Sequence, residues 1–149
     1  MRSTRGLGAG GLFLSLLGCA DPPVPPTVYV PAADYAQALA IGTGAARAGE
    51  WTTLEARLSA GPWRPVPREE ADLTDCWWRR PPPPTDSSAA SRVTWRVEPA
   101  DSVRFNLPTS PTAPRQVRFP RPGTYRLWAV APGCRTPVTS ETLTVQVAP

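Results

Sequence analysis

Carboxylates are the side chains in this sequence that could perform acid–base chemistry. The 149 residues include no histidine, and all sixteen basic side chains are arginine, which excludes Ser-His-Asp, Cys-His and lysine-based catalytic groups. Four acids cluster in the segment "REEADLTD": Glu69, Glu70, Asp72 and Asp75. Glycosidases need two carboxyl groups held across a cleft, and calcium loops need a different spacing. We therefore interpret the cluster as a solvated loop, and we expect a non-enzyme without cofactor or metal.

The run "DCWWRRPPPP", residues 75–84, could form a recognition surface. Tryptophans can stack on sugars, and neighbouring arginines can bind anionic groups. The possible binding surface therefore consists of Trp77, Trp78, Arg79 and Arg80. Alternatively, Cys76–Trp78 is a short strand whose neighbouring side chains point in opposite directions, so that at most one tryptophan enters the core. Pro81–Pro84 cannot donate ladder hydrogen bonds and would end that strand. We favour the structural interpretation of this run over recognition.

The first 18 residues have the features of a signal peptide. Arg2 and Arg5 precede an apolar stretch of about thirteen residues, which is shorter than the roughly 20 that a membrane span needs. The stretch ends in "LLGC", which resembles the lipobox of bacterial lipoproteins. This resemblance implies cleavage before Cys19 and attachment of lipid to the thiol of Cys19. The alternative is an ordinary signal peptide in which Cys19 is incidental.

The lipobox resemblance also implies a location and a set of partners. In that family an aspartate after the cysteine favours the inner membrane, and here Ala20 follows Cys19, so we expect the outer membrane. Loss of residues 1–18 leaves fourteen interspersed arginines against twelve carboxylates. That balance lacks the basic stripe of nucleic-acid-binding proteins. The expected partners are the membrane, through lipid on Cys19, and an envelope protein or glycan.

We divide the remaining chain into a linker, residues 19–44, and a domain, residues 45–149. Residues 21–31 are rich in proline and predict an extended tether that lifts the domain roughly 20–30 Å from the bilayer. Two alternatives stay open for this linker. "TVYV" could be an edge strand, and "YAQALAI" could be a short helix or the first strand of the domain.

Apolar residues recur with a period of two from Trp51 onward, which predicts half-buried strands. About seven strands are expected, in "WTTLEARL", "CWW", "RVTWRV", "VRFNL", "QVRF", "TYRLWAV" and "TLTVQV". The side chains expected to face the core are Thr52, Leu54, Ala56, Leu58, Val93, Trp95, Val97, Val103, Phe105, Leu107, Val117, Phe119, Tyr125, Leu127, Ala129, Leu143, Val145 and Val147. Short strands between Gly/Pro/Ser-rich turns predict an all-β, antiparallel sandwich.

Residues 45–149 also resemble a known group of domains. "TLEARLSAGP", "CWW", "VRFPRPGTYRLWAVAPGC" and "TLTVQV" are similar to the immunoglobulin-like sandwiches of PKD and related bacterial modules. In this resemblance Trp77 or Trp78 takes the place of the central tryptophan. The late motif is matched by Phe119, Pro122, Gly123, Tyr125, Leu127 and Ala129. The resemblance implies the fold but no particular activity, because such modules serve as spacers, binders and assembly parts.

Two cysteines, Cys76 and Cys134, remain once Cys19 is assigned to lipid. Paired thiols of exported proteins generally form a disulfide. Closing this loop would stabilise the fold by roughly 4 kcal/mol in the chain-entropy model. A metal or redox pair is the alternative, but there is no C-x-x-C and no further ligand type nearby.

The functional hypothesis from sequence is a lipid-anchored, non-catalytic binding or assembly module. One alternative is an accessory lipoprotein of a secretion or motility machine. Another is a small glycan-binding or glycan-hydrolysing envelope protein.

We expect mass spectrometry of a non-reduced digest to contain one linked peptide pair carrying Cys76 and Cys134. Reduction should split the pair into its two peptides. Detection of both cysteines as free thiols in freshly isolated protein would contradict the predicted disulfide.

Overall fold

The computed structural model describes residues 23–110 and 113–149. The predicted signal peptide and Cys19 lie outside the described residues. Within the described part of the chain, no helix is long and apolar enough to cross a membrane.

Ten strands form two sheets in the described residues. They are β1 Thr27–Thr43, β2 Ala46–Arg47, β3 Trp51–Pro67, β4 Thr85–Asp86, β5 Thr94–Glu98, β6 Arg104–Phe105, β7 Arg115–Arg118, β8 Gly123–Ala131, β9 Val138–Thr139 and β10 Leu143–Ala148. The first sheet has the order β1-β3-β7-β6, with β4 beside β3, and the second has the order β2-β10-β8-β5, with β9 beside β8. Two short 3₁₀ helices, Arg68–Glu70 and Ala89–Ser91, lie in the connections.

The predicted all-β sandwich is confirmed, and the arrangement is consistent with an immunoglobulin-like domain. All strand pairs are antiparallel except β2 with β10, which is parallel. The strand count exceeds the predicted seven because several ladders are two residues long and because β1 belongs to the first sheet.

The core lies between the two sheets and follows the predicted alternation. Phe119 and Leu127 are fully buried, and most of the apolar residues that alternate along β3, β8 and β10 are buried as well. Trp95 of β5 is also buried, and its indole Nε1 donates a hydrogen bond to the carbonyl of Ala90 at 3.0 Å. Alternate burial of this kind places one face of each strand in the core and leaves the other in solvent.

The fold contains a hydrogen bond that is typical of immunoglobulin-like sandwiches. Tyr125, near the start of β8, packs on Phe119 with ring centroids 4.7 Å apart. Its hydroxyl donates to the backbone carbonyl of Arg121, four residues upstream, at 3.1 Å. A tyrosine that reaches back to the backbone in this way fixes the corner before a strand.

The predicted linker differs from the structure in residues 27–43, which form the edge strand β1. β1 pairs with β3 along nearly its whole length, from Thr27 opposite Pro67 to Thr43 opposite Leu54. The alternatives that placed strands in "TVYV" and "YAQALAI" are the correct ones. Proline is tolerated in β1 because Pro31 lies in an edge strand, where a missing donor is least costly.

Three expectations for single segments are wrong. "CWW" is not a strand, because its only ladder contact is an isolated bridge between Trp78 and Tyr29. The buried central tryptophan is Trp95 rather than Trp77 or Trp78. Leu107 is 87% exposed because β6 ends at Phe105.

Strand β6 ends before Asn106, whose side chain makes hydrogen bonds to the segment that leads into β7. The carboxamide of Asn106 accepts from the amide N–H of Gln116 at 2.7 Å and donates to the carbonyl of Pro114 at 3.0 Å. These local bonds compete with strand pairing. Leu107 consequently lies beyond the sheet.

Replacing Leu127 by alanine should lower the free energy of unfolding by about 2–5 kcal/mol, because the side chain is fully buried between the sheets. Leu107→Ala is the matched control and should change stability by less than about 0.5 kcal/mol. Chemical denaturation of both variants measures the difference. Equal losses would contradict the assignment of the core.

Candidate binding cleft

One end of the molecule is built from three separate parts of the chain. They are the ends of β1 and β3 remote from their connecting turn, the segment 71–84, and the loop between β8 and β9. Pairing of β1 with β3 is interrupted between Pro31 and Ala36. Irregular pairing of this kind redirects side chains. Here Tyr35 packs edge-to-face on Trp63, with ring centroids 4.9 Å apart and an interplanar angle of 70°.

The segment that contains the tryptophan pair lies along the free edge of β1. Trp78 and Tyr29 exchange two backbone hydrogen bonds, each 2.9 Å long. The indole of Trp78 then meets that of Trp63 edge-to-face, with centroids 6.5 Å apart. Trp78 is 53% exposed, whereas Trp77 is half-buried. Tyr35, Trp63 and Trp78 thus form a continuous row of aromatic rings outside the main core.

The predicted disulfide joins this segment to the second sheet. Cys76 and Cys134 are bonded, with Cα atoms 5.5 Å apart, a separation typical of disulfides. The amide N–H of Cys134 donates to Oε1 of Gln37 on β1 at 2.9 Å. A Cβ on Gly133 would collide with the carbonyl of Thr136, so this loop requires glycine. The disulfide and the Gln37 bond together hold the three parts of the site in place.

These parts enclose a cleft of about 430 Å³. Its walls include the aromatic row, Trp77, the disulfide and Pro132. A second hollow of about 550 Å³ shares Trp77 and Trp78 with the cleft. We call this the outer hollow, and its lining consists of Trp77, Trp78, Arg79, Arg80 and Pro81–Pro83. The two tryptophans therefore line both the cleft and an arginine-bearing surface.

Polar groups at the cleft are of two kinds. Asp86 forms an ion pair with Arg92 and accepts the amide N–H of Ser88 at 2.9 Å. In contrast, Oη of Tyr35 and Nε1 of Trp63 are shielded from solvent and make no hydrogen bond within the described chain. An unpaired buried donor costs about 1–3 kcal/mol. Burial also raises the pKa of the Tyr35 hydroxyl, so that it stays protonated.

The four clustered carboxylates lie in the connection after β3, where two are exposed and two accept hydrogen bonds. Glu69 and Glu70 lie exposed on the 3₁₀ helix. Hydrogen bonds from the hydroxyl and amide of Thr74 lower the pKa of Asp72. A side-chain hydrogen bond from Arg135 is the main cause of the lowered pKa of Asp75. A general acid needs a raised carboxyl pKa, so these shifts run in the opposite direction.

Sequence reasoning found part of this site and missed part. The structure brings Trp77, Trp78, Arg79, Arg80 and the two cysteines together at one end. Tyr35 and Trp63 were not predicted as site residues. Their position depends on the long β1–β3 pairing and its irregular register, and no local pattern reports that. Cys19 lies outside the described residues.

The comparisons with known proteins add no relative. No protein-family model matches the chain, and neither a curated protein nor a solved structure is similar to it.

Replacing Arg135 by glutamine should raise the pKa of Asp75 toward that of an ordinary aspartate, because its strongest hydrogen-bond donor is lost. Asp72 is the internal control, since its lowered pKa depends mainly on Thr74. Carboxyl NMR titration measures both groups. An unchanged pKa of Asp75 would contradict the pairing.

The same pair predicts a direction for the pH dependence of stability. Because the pKa of Asp75 is lower in the folded than in the unfolded state, the pair stabilises the fold above the unfolded pKa. That contribution disappears as the pH falls through the folded pKa. The stability difference between wild type and Arg135→Gln should therefore be present at neutral pH and vanish in acid, as denaturation curves at several pH values would measure.

Proposed function

We propose that this chain is a lipid-anchored envelope protein that acts as a non-catalytic binding module, with the aromatic cleft as its binding site. The single observation that carries the proposal is the aromatic row of Tyr35, Trp63 and Trp78, which lies outside the core and lines a cleft. Tyrosine and tryptophan dominate the energetics of binding sites because each offers a large, stiff, apolar area. Clefts with mostly apolar walls and a few polar groups are the usual form of such sites.

The way the cleft is held also supports a binding role. The disulfide, the Gln37 bond and the backbone pairing of Trp78 with Tyr29 restrict all three parts of the site before any ligand arrives. A preformed site loses less conformational entropy on binding.

The proposal of a non-catalytic role rests on side-chain chemistry. Histidine and lysine are absent from the whole sequence. The clustered acids are either exposed or carry lowered pKa values, which suits ionised surface groups. The lipid anchor rests on the lipobox-like "LLGC" that ends at Cys19. Its acyl chains would keep the module at a membrane essentially permanently.

A photo-crosslinking amino acid at position 132 tests the binding role in intact cells. Pro132 is exposed and lines the cleft but not the outer hollow. We expect a covalent adduct of defined mass from this position and none from the same amino acid at the exposed position 107. A protein adduct would identify an assembly partner, and a carbohydrate adduct would identify a glycan.

Trp63→Ala provides the energetic test of the same site. Truncating a central aromatic residue of a binding site commonly costs 2 kcal/mol or more, so the affinity for the crosslinked ligand should fall by at least about 30-fold. Circular dichroism should show that the variant retains its β-sheet signal. An adduct whose yield is the same in wild type and in the folded variant would refute the cleft as the binding site, as would the absence of any adduct specific to position 132.

A further inference from the structure

We infer that the outer hollow rests on the surface of an anionic bilayer and orients the domain on the membrane to which it is tethered. The side chains that would make the contact are Trp77, Trp78, Arg79 and Arg80, together with Pro81–Pro83. This inference rests on the lipid anchor of the proposed function but is independent of what binds in the cleft. It assigns a second role to Trp77 and Trp78, which also line the cleft.

The first argument is the short length of chain between the lipid and the hollow. Cys19 and Tyr29 are ten positions apart, which is at most about 36 Å of fully extended chain. Tyr29 is joined to Trp78 by two backbone hydrogen bonds. The lipid on Cys19 is therefore tethered within that distance of the strand edge that Trp78 covers.

The entering chain is also held against the domain rather than hanging free of it. The carbonyl of Pro26 accepts the amide N–H of Arg68 at 2.9 Å, and β1 begins at the next residue. Val24 and Pro25 are half-buried. Pro23, where the described chain begins, is only four positions after Cys19, which is about 14 Å when extended. The tether is thus shorter than the predicted 21–31 segment, and this end of the domain cannot move far from the bilayer.

The second argument is the chemistry of the hollow. Tryptophan is enriched where membrane meets water, because its ring is apolar and its indole N–H is polar. Trp78 is 53% exposed, so its ring is accessible to a flat surface. Arginines near a membrane are attracted to anionic headgroups. Arg80 is exposed and lines the outer hollow, and no carboxylate is among the lining residues, so a positive charge faces such a surface there.

Three of the acidic groups at this end line a groove that is separate from the outer hollow. Glu70, Asp72 and Asp75 line a separate groove, in which Arg64 and Arg135 are also present. That groove shares no residue with the outer hollow. With the outer hollow against the headgroups, the carboxylates would border the contact rather than enter it.

Trp51 supplies a matched control at the other end of the same ribbon. It is 46% exposed, nearly as much as Trp78, but it lies at the start of β3. Trp51 and Trp63 are twelve residues apart in that strand, roughly 40 Å. An oriented domain would keep Trp51 out of the bilayer while Trp78 touches it.

The experiment uses the mature, lipidated protein in vesicles of phosphatidylethanolamine and phosphatidylglycerol whose acyl chains carry bromine near the headgroup. Bromine quenches tryptophan emission at short range. We expect quenching of the wild type, weaker quenching in Trp78→Phe, where Trp77 stays in the contact, and unchanged quenching in Trp51→Phe. Arg80→Glu should also weaken it, and so should phosphatidylcholine vesicles for the wild type.

Each contrary outcome has its own meaning. Equal quenching of the wild type and Trp78→Phe, with both proteins anchored, would overturn the orientation. If isolated peptidoglycan shields Trp78 from solvent and vesicles do not, the outer hollow binds a glycan. That result would also overturn the proposed orientation on the bilayer. If Cys19 carries no acyl label, or if the unlabelled Cys19→Ser variant stays membrane-bound, Cys19 is not the membrane anchor. This inference would then fail as well. Crosslinking from position 132 does not depend on any of these results, so failure of the cleft proposal is recognised separately.

Discussion

The antiparallel pairing of β1 with β3 is the interaction on which the rest of this structure depends. Each strand has 17 residues, whereas strands of globular proteins usually have three to ten. β7 pairs only with the first four residues of β3, Trp51–Leu54. Further along β3, the two residues of β4 pair with Leu58 and Ser59. The remote half of the ribbon therefore extends past the sandwich core. It has to be covered by other means.

The cover explains why the aromatic residues lie where they do. A two-stranded ribbon is only marginally stable by itself. The segment around Trp78 adds backbone bonds to the edge of β1 and lays its indole against Trp63. The disulfide then ties that segment to the loop after β8. Two hollows, the cleft and the outer hollow, border this cover.

Sequence periodicity predicted the core well and the periphery poorly, for physical reasons. In β3, β8 and β10 the alternation of apolar residues reflects burial of one face, so Leu54, Leu127 and Val145 are inside as predicted. The prolines of β1 led to the prediction of a tether. Proline is compatible with a strand mainly at the edge of a sheet, and the sequence alone does not show that β1 lies there. Trp95 and the tryptophan pair have similar local contexts, and only tertiary packing decides which of them enters the core. The position of Tyr35 depends on an irregular register, which no local pattern encodes.

The disulfide between Cys76 and Cys134 also makes completion of the site depend on the redox state of the compartment. A reducing compartment keeps such thiols apart, so that nothing covalent would join the tryptophan segment to the second sheet. The sandwich core contains neither sulfur, so the bond acts on the cleft end rather than on the core packing. A chain exported as proposed would thus cross the membrane with its recognition end incomplete. Oxidation would finish that end only where the protein is meant to work.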